Sequence, residues 1–258
     1  MEQYLDLRGH QTYSYEWENN GEAVVLLHGG LSQTSHWDYV LAPELEPDFH
    51  LFAYDRTGHG YTGDREGSFH FDYQIKEAIA YLEDIVKEPA HLIGWSDGGI
   101  IAMAVAIARP ELVKSLVLIG ANFHHSGTSI ELPFSEPSDE DKAEYAATSP
   151  DAPHTQNEKI KKMLAIWETE PDIPVSDLAK IQCPTLVIAG DDDVISHEHT
   201  LELYRAIALS QLAIIPGTSH IAPKEKPALF SAIVQQFLAD LSYPITKMPI
   251  RRTNPTLN

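Results

Sequence analysis

Short apolar runs recur along the chain, and several of them end directly at glycine. The runs do not alternate between apolar and polar residues, which is typical of strands buried on both faces of a parallel sheet. They lie at Ala23–Leu27, His50–Tyr54, His91–Ile93, Ser115–Ile119, Thr185–Ala189 and Leu212–Ile215. Helical stretches lie between or after them, at Tyr73–Val86, Gly99–Ala108, Thr200–Ala208 and Ala228–Leu241. This alternation predicts an α/β fold with a mostly parallel, doubly wound sheet.

Two regions depart from this rhythm. The first 20 residues place aromatic residues and leucines around Arg8-Gly9, which predicts an antiparallel hairpin at the sheet edge. Residues 122–180 contain no strand pattern, but they contain prolines beside acidic stretches and two helical segments, Asp139–Ala147 and Gln156–Glu168. We interpret 122–180 as a helical cap insertion, with 1–121 and 181–258 forming the core domain. A disordered loop is the alternative, and the apolar content of the segment argues against it.

Composition narrows the classes of partner. The 258 residues include 38 Asp and Glu against 18 Lys and Arg, giving a formal net charge of −20. Because phosphate binding requires clustered basic residues, this charge argues against nucleic acid or an anionic membrane as a main partner. The single cysteine, Cys183, cannot form an internal disulfide. Without a signal-peptide pattern or a long apolar run, we expect a soluble, cytoplasmic protein.

A nucleophile motif follows the third predicted strand. Gly94-Trp95-Ser96-Asp97-Gly98 matches G-x-S-x-G between a strand and a helix. Small residues on either side allow a sharp turn on which a serine hydroxyl stands clear of the backbone. The helix that follows would place N–H groups where negative charge develops. Ser96 is therefore the candidate nucleophile.

A serine nucleophile requires a base and an acid that orients this base, and both follow Ser96 in the expected order. His220 comes after the last predicted strand and is the candidate base. Asp193 is the preferred acid, with Asp191 and Asp192 left open, because all three follow the Thr185–Ala189 strand. No acidic residue follows the Ser115–Ile119 strand, which removes the main competing position.

Other site residues are assigned from their neighbourhood. The backbone N–H groups of Gly30 and Asp97 are the expected oxyanion hole, with Leu31 as a substitute for Gly30. Candidate substrate-binding residues are Trp95, Asp97, Phe123 and Trp167. The pair His197 and His199 has metal-ligand spacing without a placed third ligand, and no metal site is expected.

The segments HGG, DRTGHG, GWSDGG, GDDD and PGTSH, in this order, resemble the α/β-hydrolase superfamily across most of the chain. GWSDGG followed by LIGAN is similar to the serine-hydrolase branch that includes valacyclovir hydrolase. The resemblance implies an α/β-hydrolase fold with a triad of Ser96, Asp193 and His220, a cap over the pocket and no cofactor. It also implies that Asp97 recognises a substrate α-amino group; the alternatives are that Asp97 caps the helix or faces solvent.

The expected function is hydrolysis of a small or medium carboxylic ester through an acyl-enzyme. The alternatives are an amide, lactone or carbon–carbon bond hydrolase with the same triad, and a ligand receptor with incidental turnover. The expected partner is a small-molecule ester, and a homodimer is left open.

Overall fold

The computed structural model of the chain describes residues 1–131 and 133–252. Within these ranges, eight strands form one sheet in the order β1-β2-β4-β3-β5-β6-β7-β8. The strands are β1 Glu2–Leu7, β2 His10–Trp17, β3 Ala23–Leu27, β4 His50–Tyr54, β5 Ala90–Trp95, β6 Val113–Ile119, β7 Thr185–Gly190 and β8 Ser210–Ile215. Strand β2 pairs antiparallel with both β1 and β4, and the remaining pairs are parallel. The predicted mostly parallel sheet with an antiparallel N-terminal hairpin is confirmed.

The helices flank the sheet or lie between β6 and β7. They are α1 Ala42–Leu45, α2 Phe71–Tyr81, α3 Asp97–Ala108, α4 Asp139–Thr148, α5 Gln156–Trp167, α6 Val175–Leu178, α7 His197–Ala206, α8 Ala222–Glu225 and α9 Pro227–Ala239. The predicted Tyr73–Val86 helix ends early, because a π-helical turn at Leu82–Val86 follows α2 and closes at Lys87 with a positive φ. Helix α3 begins two residues before its predicted start, directly after Ser96.

The core lies on both faces of the sheet, which explains why its strands lack apolar–polar alternation. All five residues of β3 are buried. Val25 and Leu27 pack in the cluster that contains α2 and α3, whereas Val24 and Leu26 pack in the cluster that contains α1 and α9. Both faces of the strand are therefore covered by helices, as parallel sheets require.

Residues 122–180 join β6 to β7 and include α4, α5 and α6. Helix α5 packs inward through Met163 and Ile166, which are buried, whereas α4 buries no residue. The division into a core at 1–121 and 181–258 and a cap at 122–180 stays a prediction, and Leu132 and 253–258 lie outside the described residues. No helix in the described ranges is long and apolar enough to cross a membrane.

Candidate active site

The turn between β5 and α3 holds Ser96 in an unusual backbone conformation. Ser96 has φ 54° and ψ −119°, a region that residues with a side chain rarely adopt. The turn is tight: a Cβ at Gly94 would collide with the Gly98 carbonyl, and one at Gly98 would collide with the Leu27 carbonyl. The glycines of the motif are therefore required by close backbone contacts, for the steric reason that the sequence indicates.

Strand ends bring the three predicted triad residues together. The Ser96 hydroxyl donates to His220 Nε2 over 3.0 Å, and His220 Nδ1–H donates to Asp193 Oδ1 over 2.8 Å. The Asp193 side chain is 1% exposed and that of His220 is 22% exposed. This is the hydrogen-bond order in which a histidine can accept the serine proton while a carboxylate fixes its tautomer.

The three neighbouring aspartates occupy different environments. Asp193 contacts His220, whereas Asp191 accepts hydrogen bonds from the backbone of the loop that follows β8, including Thr218 N–H at 3.1 Å. These backbone donors hold the pKa of Asp191 below its usual range. Asp192 is exposed. The geometry therefore favours the preferred acid over the two alternatives.

Two residues, Gly120 and Trp95, hold the His220 loop, and of these Gly120 was not among the predicted site residues. Gly120 follows β6 with φ +53°, and a Cβ there would lie 2.9 Å from His220 Nδ1 and 3.3 Å from Asp193 Oδ2. Trp95 Nε1–H donates to the His220 carbonyl over 2.9 Å. The positive φ and the short approach make Gly120 a required glycine, and its position at a strand end opposite Asp193 was the signal available in the sequence.

The backbone after β3 lies beside the nucleophile turn. Strands β3 and β5 are paired with Leu27 next to Gly94, so the loops that follow both strands leave the same edge of the sheet. A Cβ at Gly29 would lie 3.4 Å from Ser96 Cβ. Among the described residues, the N–H groups of Gly30, Leu31 and Asp97 donate to no protein acceptor. These N–H groups are available to a bound oxyanion, and Gly30 and Leu31 both remain candidates.

The Asp97 carboxylate is buried between a cation and an indole. Trp167 Nε1–H donates to Asp97 Oδ1 over 3.0 Å, and Arg56 Nη2 lies 3.8 Å from Asp97 Oδ2. Burial raises the pKa of Asp97 above its usual range, although Arg56 and Trp167 both oppose that shift. The carboxylate is only 3% exposed, so it neither faces solvent nor lines the cavity described next.

Arg56 is itself fully buried, and it was not among the predicted site residues. Its guanidinium donates to the Gly29 carbonyl over 2.7 Å and to Gln74 Oε1. Burial and the Arg56 charge hold the pKa of the neighbouring His28 well below its usual range. His28 is therefore neutral and structural, since its Nε2 accepts from the Arg56 N–H over 3.0 Å.

A cavity of about 570 Å³ opens beside Ser96 and His220. Its wall on the core side includes Gly30 and Trp95, so Trp95 lies where the sequence predicts a substrate contact. Its further lining includes Glu140, Asp141 and Glu144 of α4, together with His36 and Lys224. Burial lowers the pKa of both His36 and Lys224.

Phe123 is not brought to this cavity. Its ring is buried and stacks on the His199 ring with centroids 3.9 Å apart. His199 Nε2 accepts from the Phe123 N–H over 3.1 Å, whereas His197 Nε2 lies 3.2 Å from the Gly190 carbonyl. The two histidines thus have separate partners, and the described residues contain no cluster suited to a metal ion.

Comparison with known proteins places the chain in a family. The profile of the Alpha/beta hydrolase family matches residues 24–233. Serine hydrolase BPHL of Mus musculus is 25% identical over 241 residues, covering 87% of this chain and 82% of that protein. This similarity confirms the predicted resemblance to the serine-hydrolase branch.

Two further similar proteins are named after other hydrolase reactions. 2-Hydroxymuconate semialdehyde hydrolase of Pseudomonas sp. (strain CF600) is 26% identical over 255 residues, covering 85% of this chain and 88% of that protein. The solved meta-cleavage product hydrolase from Pseudomonas fluorescens IP01 is 21% identical, with a TM-score of 0.74 over 92% of this chain and 97% of its own. This last similarity supports the fold alone. The chain therefore belongs to the α/β-hydrolase family and is a hydrolase.

Proposed function

We propose that the protein hydrolyses carboxylic esters of small or medium size through a covalent acyl-enzyme on Ser96. The observation that carries the proposal is the hydrogen-bond chain from Ser96 through His220 to Asp193, with distances of 3.0 and 2.8 Å. Membership of the α/β-hydrolase family supports it.

Acylation begins when Ser96 Oγ attacks the acyl carbon of the ester and its proton passes to His220 Nε2. The N–H groups of Asp97 and of Gly30 or Leu31 bind the oxyanion of the tetrahedral intermediate. The ester C–O bond then breaks, and His220 gives its proton to the leaving alcohol. The Asp193 carboxylate stabilises the imidazolium each time it forms.

Deacylation uses the same groups in reverse. Water attacks the acyl carbon while His220 Nε2 takes one of its protons. The bond from the acyl carbon to Ser96 Oγ breaks, and His220 returns the proton to that oxygen. The carboxylic acid leaves, and the enzyme is restored with all protons balanced.

A carbon–carbon bond hydrolase with the same triad is the second candidate. The relative named 2-hydroxymuconate semialdehyde hydrolase, which is 26% identical, favours it. The bond that is cleaved depends on the fit of the leaving group, which the triad alone does not determine.

The test is steady-state hydrolysis of p-nitrophenyl butyrate by wild type and by Ser96→Ala. Triad precedents lead us to expect that kcat falls by about 10⁶-fold in the variant. Ser242→Ala, at an exposed serine, is the matched control and should retain wild-type turnover. Full turnover in Ser96→Ala would refute the mechanism, and faster turnover of 2-hydroxymuconate semialdehyde than of any ester would favour the second candidate.

A further inference from the structure

Trp167 connects the inserted helices to both proposed oxyanion donors. It is the last residue of α5, and its Nε1–H donates to Asp97 Oδ1 over 3.0 Å. A Cβ at Gly30 would lie 2.6 Å from Asp97 Oδ2 and closer still to the Trp167 ring. The Gly30 backbone is therefore in direct contact with the indole and with the carboxylate.

The Asp97 carboxylate has few other partners. Its Oδ2 is buried and has no hydrogen bond to any described residue, and the Arg56 guanidinium lies 3.8 Å away. Removing the donor to a buried carboxylate leaves the full free-energy cost of its desolvation uncompensated. This cost is larger than the free energy that an exposed hydrogen bond contributes. The Trp167 N–H is the one direct donor to this carboxylate among the described residues.

We propose that the Trp167–Asp97 hydrogen bond is a latch that holds the oxyanion donors in position only while α5 is docked on the core. The inference rests on the proposed function, because it assigns Trp167 as a positioning residue for that reaction. Asp97 is the first residue of α3, so anchoring its side chain fixes the backbone whose N–H faces the oxyanion. Trp167 also covers Gly30, so the same contact restrains the loop of Gly30 and Leu31 that carries the second donor.

The latch differs from two simpler roles for Trp167. If Trp167 were only a wall of the pocket, its substitution would mainly change KM. If it were only a packing residue, its substitution would mainly change thermal stability. A positioning contact should lower kcat with KM nearly constant, because the oxyanion develops only in the transition state.

The first test replaces Trp167 by Phe, which removes the N–H and keeps a ring over Gly30. We expect kcat for p-nitrophenyl butyrate to fall about tenfold or more, as for other small misplacements of catalytic groups, with KM within about twofold. Trp17→Phe is the matched control, since Trp17 lies on β2 away from the site. Unchanged kcat in Trp167→Phe, or a change confined to KM, would overturn the latch.

The second test keeps Trp167 and alters its acceptor, so it remains informative if Trp167→Phe does not fold. Asp97→Asn retains an oxygen acceptor and Asp97→Leu does not, while both remove the charge that faces Arg56. We expect kcat of Asp97→Asn to exceed that of Asp97→Leu about tenfold, and Trp167→Phe to have no further effect in the Leu background. Equal kcat values would overturn the latch, as would a preference for aminoacyl esters that Asp97→Asn abolishes, because that preference would assign the carboxylate to the substrate.

The third measurement needs no turnover, so it separates failure of the latch from failure of the proposed function. Hydrogen–deuterium exchange should accelerate in α5 of Asp97→Leu relative to Asp97→Asn, with exchange in α4 as the internal reference. If α5 exchanges faster in Asp97→Leu but both variants retain the esterase kinetics of the wild type, the contact is purely structural and the latch is refuted. Absence of ester turnover in the wild type would instead refute the proposed function.

Discussion

The catalytic edge of the sheet and the inserted helices are held by different kinds of interaction. Ser96 and Asp193 follow the fully buried strands β5 and β7, and His220 follows the partly buried strand β8. Backbone pairing fixes the positions of these strands. Helix α4 buries none of its residues, and it meets the core through polar contacts such as Gln33 Nε2–H donating to Glu144 over 2.7 Å. The difference indicates that the proposed catalytic residues are held rigidly, whereas the residues of α4 that line the cavity can vary at little cost to the fold.

The largest expected effect comes from the proposed triad acid, Asp193, at the rigid edge of the sheet. In Asp193→Asn the neutral amide no longer stabilises the imidazolium or its tautomer, so kcat should fall by about 10⁴-fold. Steady-state kinetics with p-nitrophenyl butyrate measure the change. Asp191→Asn is the matched control and should keep kcat within about threefold, because Asp191 bonds only to the adjacent loop in the described residues. A larger loss of kcat in Asp191→Asn than in Asp193→Asn would instead assign Asp191 as the acid.

An intermediate effect is expected at the junction of the two regions, where His199 on α7 accepts from the Phe123 N–H. Burial lowers the pKa of His199 to about 4. In the unfolded chain the His199 imidazole is protonated below about pH 6.5, whereas in the folded chain it is protonated only below about pH 4. The resulting stability is complete above pH 6.5 and is lost as the pH falls from there towards 4.

Urea denaturation of wild type and of His199→Gln at pH 7 and pH 5 measures this loss. Glutamine keeps an acceptor for the Phe123 N–H but does not titrate. The wild type should lose about 2 kcal/mol more free energy of unfolding than the variant between the two pH values. Identical pH dependence in the two proteins would show that His199 is protonated in the folded state.

The smallest effect is expected on α4. Glu144 lines the cavity with a side chain that is 45% exposed, so its field is partly screened by solvent. In Glu144→Gln, kcat/KM for an ester with a quaternary ammonium leaving group should fall about threefold at low salt, with neutral esters unchanged. Glu158→Gln, at an exposed residue of α5, provides the same charge change as a control. Equal losses for cationic and neutral esters would indicate a steric rather than an electrostatic role.

The same contrast explains how much could be predicted from the sequence. The strand Ala23–Leu27 and the elbow at Ser96 were predictable because local patterns, a doubly buried run and glycines at fixed spacing, determine them. The positions of His220 and Asp193 followed from one topological rule, since parallel strands end at one edge.

The remaining features depend on approaches between distant segments. Nothing local indicates that Arg56 is buried against Asp97, or that Phe123 stacks on His199 instead of facing the cavity. These contacts arise from packing between segments that are distant in the sequence. The positions of side chains on exposed helices such as α4 are the least predictable from the sequence pattern.

The buried ion pair between Arg56 and Asp97 limits how this enzyme can be redesigned. Removing either partner alone leaves an uncompensated charge in the interior, at a cost of about 3–5 kcal/mol, a large share of the stability margin of a typical domain. A mutant library that randomises residue 97 by itself would therefore lose many of its members to misfolding. Libraries that vary residues 56 and 97 together, with neutral pairs of similar volume included, should recover a larger share of folded variants.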